Sequence, residues 1–91
     1  MQRASHMKLA EKRFVYILRS NRDENRHYIG MTSDVSERLH WHNAGLNVHT
    51  SRNRPWHVIV SLEFRTEEPA RQFERYLKTG SGRAFAKRHF P

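Results

Sequence analysis

The run Phe14-Val15-Tyr16-Ile17-Leu18 limits most strongly what this chain can fold into. It is rich in β-branched and aromatic residues, which favour a β-strand. Its residues are apolar at odd and even positions alike, so both faces of the strand would be buried. A strand of this kind belongs in the middle of a sheet. We therefore predict a central strand over Arg13–Leu18.

The first neighbour of this strand comes next in the chain. Residues 19–26 (RSNRDENR) are wholly polar and predict a connecting loop. His27–Met31 predicts a short second strand, paired with the first as an antiparallel hairpin. Gly30, near the end of that strand, would let another group or a ligand approach the backbone closely.

A first helix is predicted after the hairpin. Asp34 with Glu37 matches a capping start, and Thr32 and Ser33 are rival N-caps. Gly45 is a natural left-handed stop for the helix. The apolar stripe predicted for this helix comprises Val35, Leu39 and Leu46.

A third strand and two more helices complete the pattern. Residues 46–56 predict a polar, basic loop, and the alternation over His57–Phe64 predicts a strand. Thr66 can cap a second helix that is broken at Gly80-Ser81-Gly82, and residues 83–90 predict a short final helix. The predicted buried positions are Val58, Val60, Leu62 and Phe64 on one face of the strand, and Ala70, Phe73 and Leu77 on the second helix.

The order β-β-α-β-α-α predicts an α+β fold, a small single domain with a three-stranded antiparallel sheet flanked by helices. This domain would occupy residues 13–91. Residues 1–12 are polar and unpatterned, and predict a flexible N-terminal segment. Within them, Ser5-His6-Met7 resembles an expression-vector scar, which would make Met7 the natural start.

The charge balance narrows the class of partner. Seventeen Lys and Arg against nine Asp and Glu give a formal net charge of +8. This favours a polyanion, nucleic acid rather than an anionic membrane surface, although surface charge could also serve solubility alone. The chain has no cysteine, which excludes a disulfide framework and suits a reducing, cytoplasmic setting. No apolar run approaches the length of a membrane span.

Five polar or aromatic residues stand where the core pattern calls for apolar ones: Tyr16, Tyr28, Arg38, His42 and Glu74. Arg38 and His42 lie one helical turn apart and share a face. The arginine offers a planar fork that suits a phosphate, and the histidine could position or protonate a phosphate oxygen. A phenol is a poor base at neutral pH unless nearby positive charge lowers its pKa.

Glu74 has two interpretations. It neighbours the predicted buried stripe of the second helix, and could be an edge carboxylate that pairs with Lys78 one turn on. It could also bind Mg²⁺, which often uses one or two carboxylates, keeps several waters and takes its other ligands from substrate phosphates. The four companion residues favour the metal ligand. His40-Trp41-His42 lacks the spacing for two histidines on one helix face, so we reject a histidine-based zinc site.

The motifs also follow one another in a recognisable order. They are Val15-Tyr16-Ile17-Leu18, Tyr28-Ile29-Gly30-Met31-Thr32, Arg38-Leu39 with His42-Asn43-Ala44-Gly45, Arg54-Pro55-Trp56, Ala70 with Glu74, and Leu77-Lys78. In this order they resemble the GIY-YIG nuclease family over residues 13–90. The likeness is greatest to short stand-alone bacterial members, which carry a run like Gly80–Arg83. One departure is Phe14-Val15 in place of the Gly-Ile of the first motif, and Phe14 could narrow access to the site.

The resemblance implies a role for each of the five residues. Tyr16 would act as general base or position the attacking water, and Tyr28 would help orient water or phosphate. Arg38 would stabilise the scissile phosphate, and His42 would handle protons. Glu74 would hold a single Mg²⁺ or Mn²⁺ ion. The implied reaction is metal-dependent hydrolysis of phosphodiester bonds in DNA, structure-selective in repair or recombination.

The remaining expectations concern binding. Better-known relatives take target specificity from attached modules or partner subunits, so a protein partner could supply specificity here. The expected oligomeric state is a monomer or a weak dimer. The alternative is a non-catalytic nucleic-acid-binding module that acts within a complex. Trp41 and Trp56 could stack on bases or simply pack. The candidate phosphate contacts are Arg52, Arg54, Lys78, Arg83, Lys87 and Arg88.

Overall fold

A three-stranded antiparallel sheet carries the rest of the chain. In the computed structural model, which describes residues 11–91, the strands are β1 (Arg13–Ser20), β2 (His27–Thr32) and β3 (Trp56–Phe64). They lie in the order β2-β1-β3, and β1 pairs antiparallel with both neighbours. The central position predicted for β1 is confirmed.

Over residues 11–91, three helices flank this sheet: α1 (Val35–Asn43), α2 (Glu67–Leu77) and α3 (Gly80–His89). A single 3-10 turn at Ser51–Asn53 interrupts the loop before β3. The observed order confirms the predicted β-β-α-β-α-α fold. The N-terminal segment predicted to be flexible comprises residues 1–12, and residues 1–10 lie outside the described part of the chain. Within residues 11–91, no helix has the length and apolar character needed to cross a membrane.

The sheet separates two small cores because side chains alternate along β1. Val15 and Ile17 point towards α2 and α3, where they pack with Ala70 and Leu77. Tyr16 and Leu18 point to the other face. There they pack with Val35 and Leu39 of α1 and with Trp56. Tyr16 is therefore a core residue on the α1 face.

A bulge in β3 overturns one predicted face. Ile17 lies opposite Val60, but the next residue of β1, Leu18, lies opposite Val58. Ile59 is the extra residue in this pairing. Because of it, the residues of β3 before the bulge point to the opposite face from the one that strict alternation predicts. Val58 thus packs on the α1 face, whereas Val60 packs with the α2–α3 core. The prediction that Val58 shares a face with Val60 was wrong.

The ends of α1 confirm its predicted signals but not its full stripe. Asp34 is the N-cap, and its side chain accepts a hydrogen bond from the backbone N–H of Glu37. Gly45 has a φ of 80° and follows the end of the helix. Leu46 lies beyond this turn and is 66% exposed, so its prediction as a buried helix residue was wrong.

The start of α3 also differs from the prediction. The two glycines were expected to break the chain, with the final helix beginning after them. Instead Thr79 caps α3 with its hydroxyl, which accepts from the N–H of Gly82, and Gly80 is the first helical residue. Gly82 is buried against the last turn of α2, where a Cβ would overlap the carbonyl of Tyr76. The helix can begin here because glycine lets the two backbones approach.

Candidate active site

Tyr16 occupies the centre of the candidate site because its partner on β2 is a glycine. Tyr16 of β1 pairs directly with Gly30, and its side chain is only 2% exposed. A Cβ on residue 30 would overlap the phenol ring and its oxygen. The close approach that Gly30 predicted is therefore made by Tyr16, and it fixes where the Tyr16 hydroxyl lies.

A chain of two hydrogen bonds links this hydroxyl to α1 and to the loop that follows. The Tyr16 hydroxyl lies 3.0 Å from Nε2 of His42, and Nδ1 of His42 lies 2.8 Å from Oγ1 of Thr50. His42 and Thr50 are 0% and 1% exposed. Both ring nitrogens of the buried imidazole are thus bonded. Sequence reasoning missed Thr50, since a hydroxyl in an irregular loop has no periodicity to mark it.

Two hydrogen-bonded pairs hold that loop in place. The Asn43 side chain accepts from the backbone N–H of Trp56 at 2.6 Å and donates to its carbonyl at 3.1 Å. The indole N–H of Trp56 donates to the carbonyl of Thr50 at 2.9 Å. Trp56 is 4% exposed, so the suggestion that it stacks on bases was wrong. Its function is to anchor the loop that presents Thr50 to His42.

Aromatic side chains and one guanidinium surround the imidazole. The ring of Tyr28 lies 4.8 Å from that of His42, and the ring of Trp41 lies 5.1 Å from it. The guanidinium of Arg38 stacks over Trp41 at 4.8 Å, a favourable cation–π geometry. Trp41 therefore helps to hold Arg38 beside the site.

Burial controls the protonation of the central pair. Burial raises the pKa of the Tyr16 hydroxyl above its ordinary value of 10.0, and Tyr28 adds to this effect while the charge of Arg38 opposes it. Burial also lowers the pKa of His42 below 6.5, and the charge of Arg38 acts in the same direction. At neutral pH Tyr16 is a neutral phenol and His42 a neutral imidazole. Arg38 does act to lower the pKa of the phenol, but desolvation outweighs it and the net shift is upward.

Glu74 approaches this group from α2. Its negative charge contributes to the raised pKa of Tyr16, which places the carboxylate within electrostatic reach of the phenol. Its side chain is 18% exposed and accepts a hydrogen bond from Nζ of Lys78 at 3.1 Å. The ion pair considered from the sequence is therefore present, and it leaves the carboxylate at the edge of the site.

The donor set suits one kind of metal. Among residues 11–91 no group of three or more His, Cys, Asp or Glu side chains lies together as a metal site would require. A dedicated protein cage is therefore absent from this part of the chain. A single hard carboxylate, which like Arg38 acts electrostatically on the Tyr16 hydroxyl, is compatible with Mg²⁺ or Mn²⁺, because such an ion fills its other positions with water and substrate phosphate. Glu74 is the residue that would hold it.

The six basic residues predicted to contact phosphate do not share one surface. Lys78, Arg83 and Lys87 line one groove, whereas Arg88 lines a smaller depression on another side of α3. The guanidinium of Arg54 lies against Gly45, where it would overlap any side chain at that position. Arg52 is exposed on the 3-10 turn.

Comparison with known proteins identifies the family of the chain. A family model described as the GIY-YIG catalytic domain matches residues 12–88. The chain belongs to the GIY-YIG nuclease family. It is similar to a UPF0213 protein of Listeria welshimeri, with 37% identity over 73 residues, or 79% of each chain. Its fold is similar to the solution NMR structure of a UPF0213 protein from Bacillus halodurans, with a TM-score of 0.52 and 24% identity over 87% of this chain and 86% of that one.

Membership confirms the family that the order of motifs predicted. The match spans all three strands and α1, α2 and nearly all of α3. It implies a nucleic acid as the substrate. The roles of Tyr16, Tyr28, Arg38, His42 and Glu74 remain predictions, which the geometry above makes specific enough to test.

Proposed function

We propose that this GIY-YIG protein is an endonuclease that hydrolyses phosphodiester bonds in DNA with one divalent metal ion. The observation that carries the proposal is the hydrogen bond between the Tyr16 hydroxyl and Nε2 of His42, 3.0 Å long and buried beside Arg38. A buried phenol bonded to a neutral imidazole is a proton-transfer pair. Its position beside the Arg38 guanidinium, a group suited to binding phosphate, supports hydrolysis of a phosphate ester.

The two pKa shifts define how the pair would work. Tyr16 stays protonated at neutral pH, so it cannot act as a base on its own. His42 stays neutral, and in the tautomer whose Nδ1–H donates to Thr50 the Nε2 lone pair faces the phenol. As water attacks phosphorus, its proton passes to the Tyr16 oxygen while the Tyr16 proton passes to Nε2. Charge balances, because the attacking hydroxide equivalent is matched by the imidazolium that forms.

The other residues act on the phosphate. The guanidinium of Arg38 would bind a non-bridging oxygen and stabilise the charge that develops in the transition state. Tyr28, with its ring 4.8 Å from that of His42, would orient the water or the phosphate. Glu74 would hold the metal ion, which when bound supplies polarisation of the phosphate and stabilisation of the leaving oxygen.

Glu74→Ala provides the first test of the proposal. Wild-type protein and variant are incubated at low salt with end-labelled duplex, single-stranded, flap and branched DNA, each in Mg²⁺, Mn²⁺ or EDTA. The flap and branched substrates are included because the proposed setting is structure-selective cleavage in repair or recombination. We expect metal-dependent cuts in the wild type and none with Glu74→Ala.

Glu68→Ala is the matched control for this experiment. Glu68 is an exposed carboxylate on the same helix, hydrogen-bonded to Gln72, and lies outside the site. The Glu68→Ala variant should cleave like the wild type, and circular dichroism should show that both variants fold. Full activity of Glu74→Ala would overturn the assignment of the metal site. DNA that is bound but intact under all conditions would favour the non-catalytic binding module instead.

A further inference from the structure

A groove of about 820 Å³ lies on the α2–α3 face of the sheet, between β2, the β1–β2 loop and α3. Its lining combines two chemistries. The apolar part includes Ile29, Ile59 and Phe90, which are only partly buried although they pack against the α2–α3 core. The basic part includes Arg19, Lys78, Arg83 and Lys87.

Two residues connect this groove, which we name the β2–α3 groove, to the active site. Tyr28 lines the groove, and its ring lies 4.8 Å from that of His42. Lys78 also lines the groove, and its ammonium group lies 3.1 Å from the carboxylate of Glu74. Tyr28 packs with Tyr16 on the α1 face, so a ligand that leaves the groove around the edge strand β2 would reach the residues proposed to act on the phosphate.

The charge of the lining selects a polyanion. Four cationic side chains face a single acidic side chain, Glu24, among the described residues that line the groove. Arg83 and Lys87 lie one helical turn apart on α3, so they present two charges along one side. Such a row of charges matches the repeating phosphates of a nucleic acid strand.

The apolar lining distinguishes a single strand from a duplex. In a duplex the base faces are stacked on one another, so a protein meets mainly phosphates, sugars and base edges. Unpaired bases expose their faces and pack against aromatic and apolar side chains beside a basic track for the backbone. Ile29, Ile59 and Phe90 offer such a surface within the same groove that carries the four cations.

We propose that the β2–α3 groove binds an unpaired strand of the nucleic acid substrate and leads it to the active site. The inference rests on the proposed nuclease function and specifies its substrate class, namely DNA with a single-stranded segment next to the cut. Bases pack on the apolar lining, and phosphates bind Arg19, Arg83 and Lys87. Lys78 lies at the junction with the site.

The first experiment measures binding of wild-type protein by fluorescence anisotropy in EDTA, where metal-dependent cleavage does not occur. The probes are a labelled oligo(dT), an abasic oligonucleotide of equal length and charge, and a duplex. We expect oligo(dT) to bind most tightly and the abasic strand at least several-fold more weakly, because it lacks base faces. Equal binding of oligo(dT) and the abasic strand, or tighter binding of the duplex, would overturn the proposal.

A second experiment locates the bound strand by charge reversal. Arg83→Glu with Lys87→Glu changes two cations of the groove, and Arg75→Glu with Arg65→Glu makes the same change of charge at exposed positions outside it. The groove variant should bind oligo(dT) much more weakly than the control pair. In the milder Lys87→Ala variant, the slope of log K against log salt should fall in magnitude by about 0.7, the value for one phosphate contact with a single strand. Equal losses in both pairs would place the binding elsewhere.

The two proposals fail in different ways. If oligo(dT) binds in EDTA and the binding depends on Arg83 and Lys87, but no cleavage follows when metal is added, the groove proposal stands and the nuclease proposal fails. If cleavage depends on Glu74 but is unaffected by changes at Arg83 and Lys87 on every single-stranded and flap substrate, the nuclease proposal stands and the groove proposal fails. The comparison of wild-type probes decides the matter even if a variant fails to fold.

Discussion

Single residues in the site work as a connected set, and Thr50 shows this best. A neutral imidazole has one N–H and one lone pair, so its neighbours decide which nitrogen accepts a proton. If Nδ1 donates to the Thr50 hydroxyl, Nε2 is free to accept from Tyr16. Thr50 touches neither the phosphate nor the metal in the proposed mechanism. It is a positioning residue that acts through His42.

Replacing Thr50 tests this role. Thr50→Val keeps the shape of the side chain but removes the oxygen, which leaves Nδ1 of His42 buried without its partner at a cost of about 1–3 kcal/mol. We expect the cleavage rate to fall on the order of tenfold or more, whereas Thr50→Ser should restore it. Nitrogen NMR of the His42 ring should show a changed tautomer ratio in the valine variant alone. Equal rates in the two variants would mean that the hydroxyl only fills space.

The acidity of His42 predicts the pH dependence of cleavage. Its pKa lies below 6.5 because of burial and the charge of Arg38. Nε2 accepts a proton only when the ring is neutral. The cleavage rate should therefore rise with pH, with the midpoint of the rise below pH 6.5, and then level off. Single-turnover rates from pH 4.5 to 8 measure this rise. A rate that falls as pH rises through that range would show that the protonated ring is the active form.

At the level of whole elements, glycines set how closely backbones approach. Gly82 lies where the first turn of α3 meets the last turn of α2, and a Cβ there would overlap the Tyr76 carbonyl. Gly80 belongs to the same turn of α3 but has open space around its Cβ position. The two positions therefore offer a direct comparison between close backbone packing and ordinary helix propensity.

Gly82→Ala should lower the stability of the domain by about 1–3 kcal/mol, because α3 must move away from α2 to fit the methyl group. Gly80→Ala should leave stability unchanged or raise it slightly, since alanine favours helix over glycine. Thermal unfolding followed by circular dichroism compares them. A melting temperature that falls equally for both would mean that the packing of the two helices does not depend on Gly82.

The elements also show what a sequence can and cannot predict. The central strand and the cap at Asp34 follow from local patterns, so both were predictable. The face of Val58 depends on a bulge that two paired strands create together, and no pattern within β3 reports it. Thr50 likewise meets His42 only after Trp56 anchors the loop. Tertiary contacts decide these details, and they decided the geometry of the site.

At the scale of the whole molecule, the central sheet gives each face a different task. The α1 face buries the Tyr16–His42–Thr50 chain, and the α2–α3 face carries Glu74 and the β2–α3 groove. β2 is an edge strand, so residues from both faces can meet beside it. This arrangement makes the buried polar chain part of the core, and its protonation then affects the stability of the entire fold.

Acid should therefore destabilise the domain through His42 before ordinary carboxylates are titrated. The pKa of His42 is lower in the folded chain than the value of 6.5 for an unperturbed histidine, so the unfolded state binds the proton more tightly. Stability is fully present above pH 6.5 and is lost as the pH falls below it, whereas ordinary carboxylates titrate near pH 4. We expect the melting temperature to fall between pH 7 and pH 5 in the wild type and to fall less in His42→Gln. His40→Gln is the control, since it removes an exposed histidine from the surface of α1. An identical pH dependence in wild type and His42→Gln would mean that the buried imidazole is not the group whose protonation opens the fold.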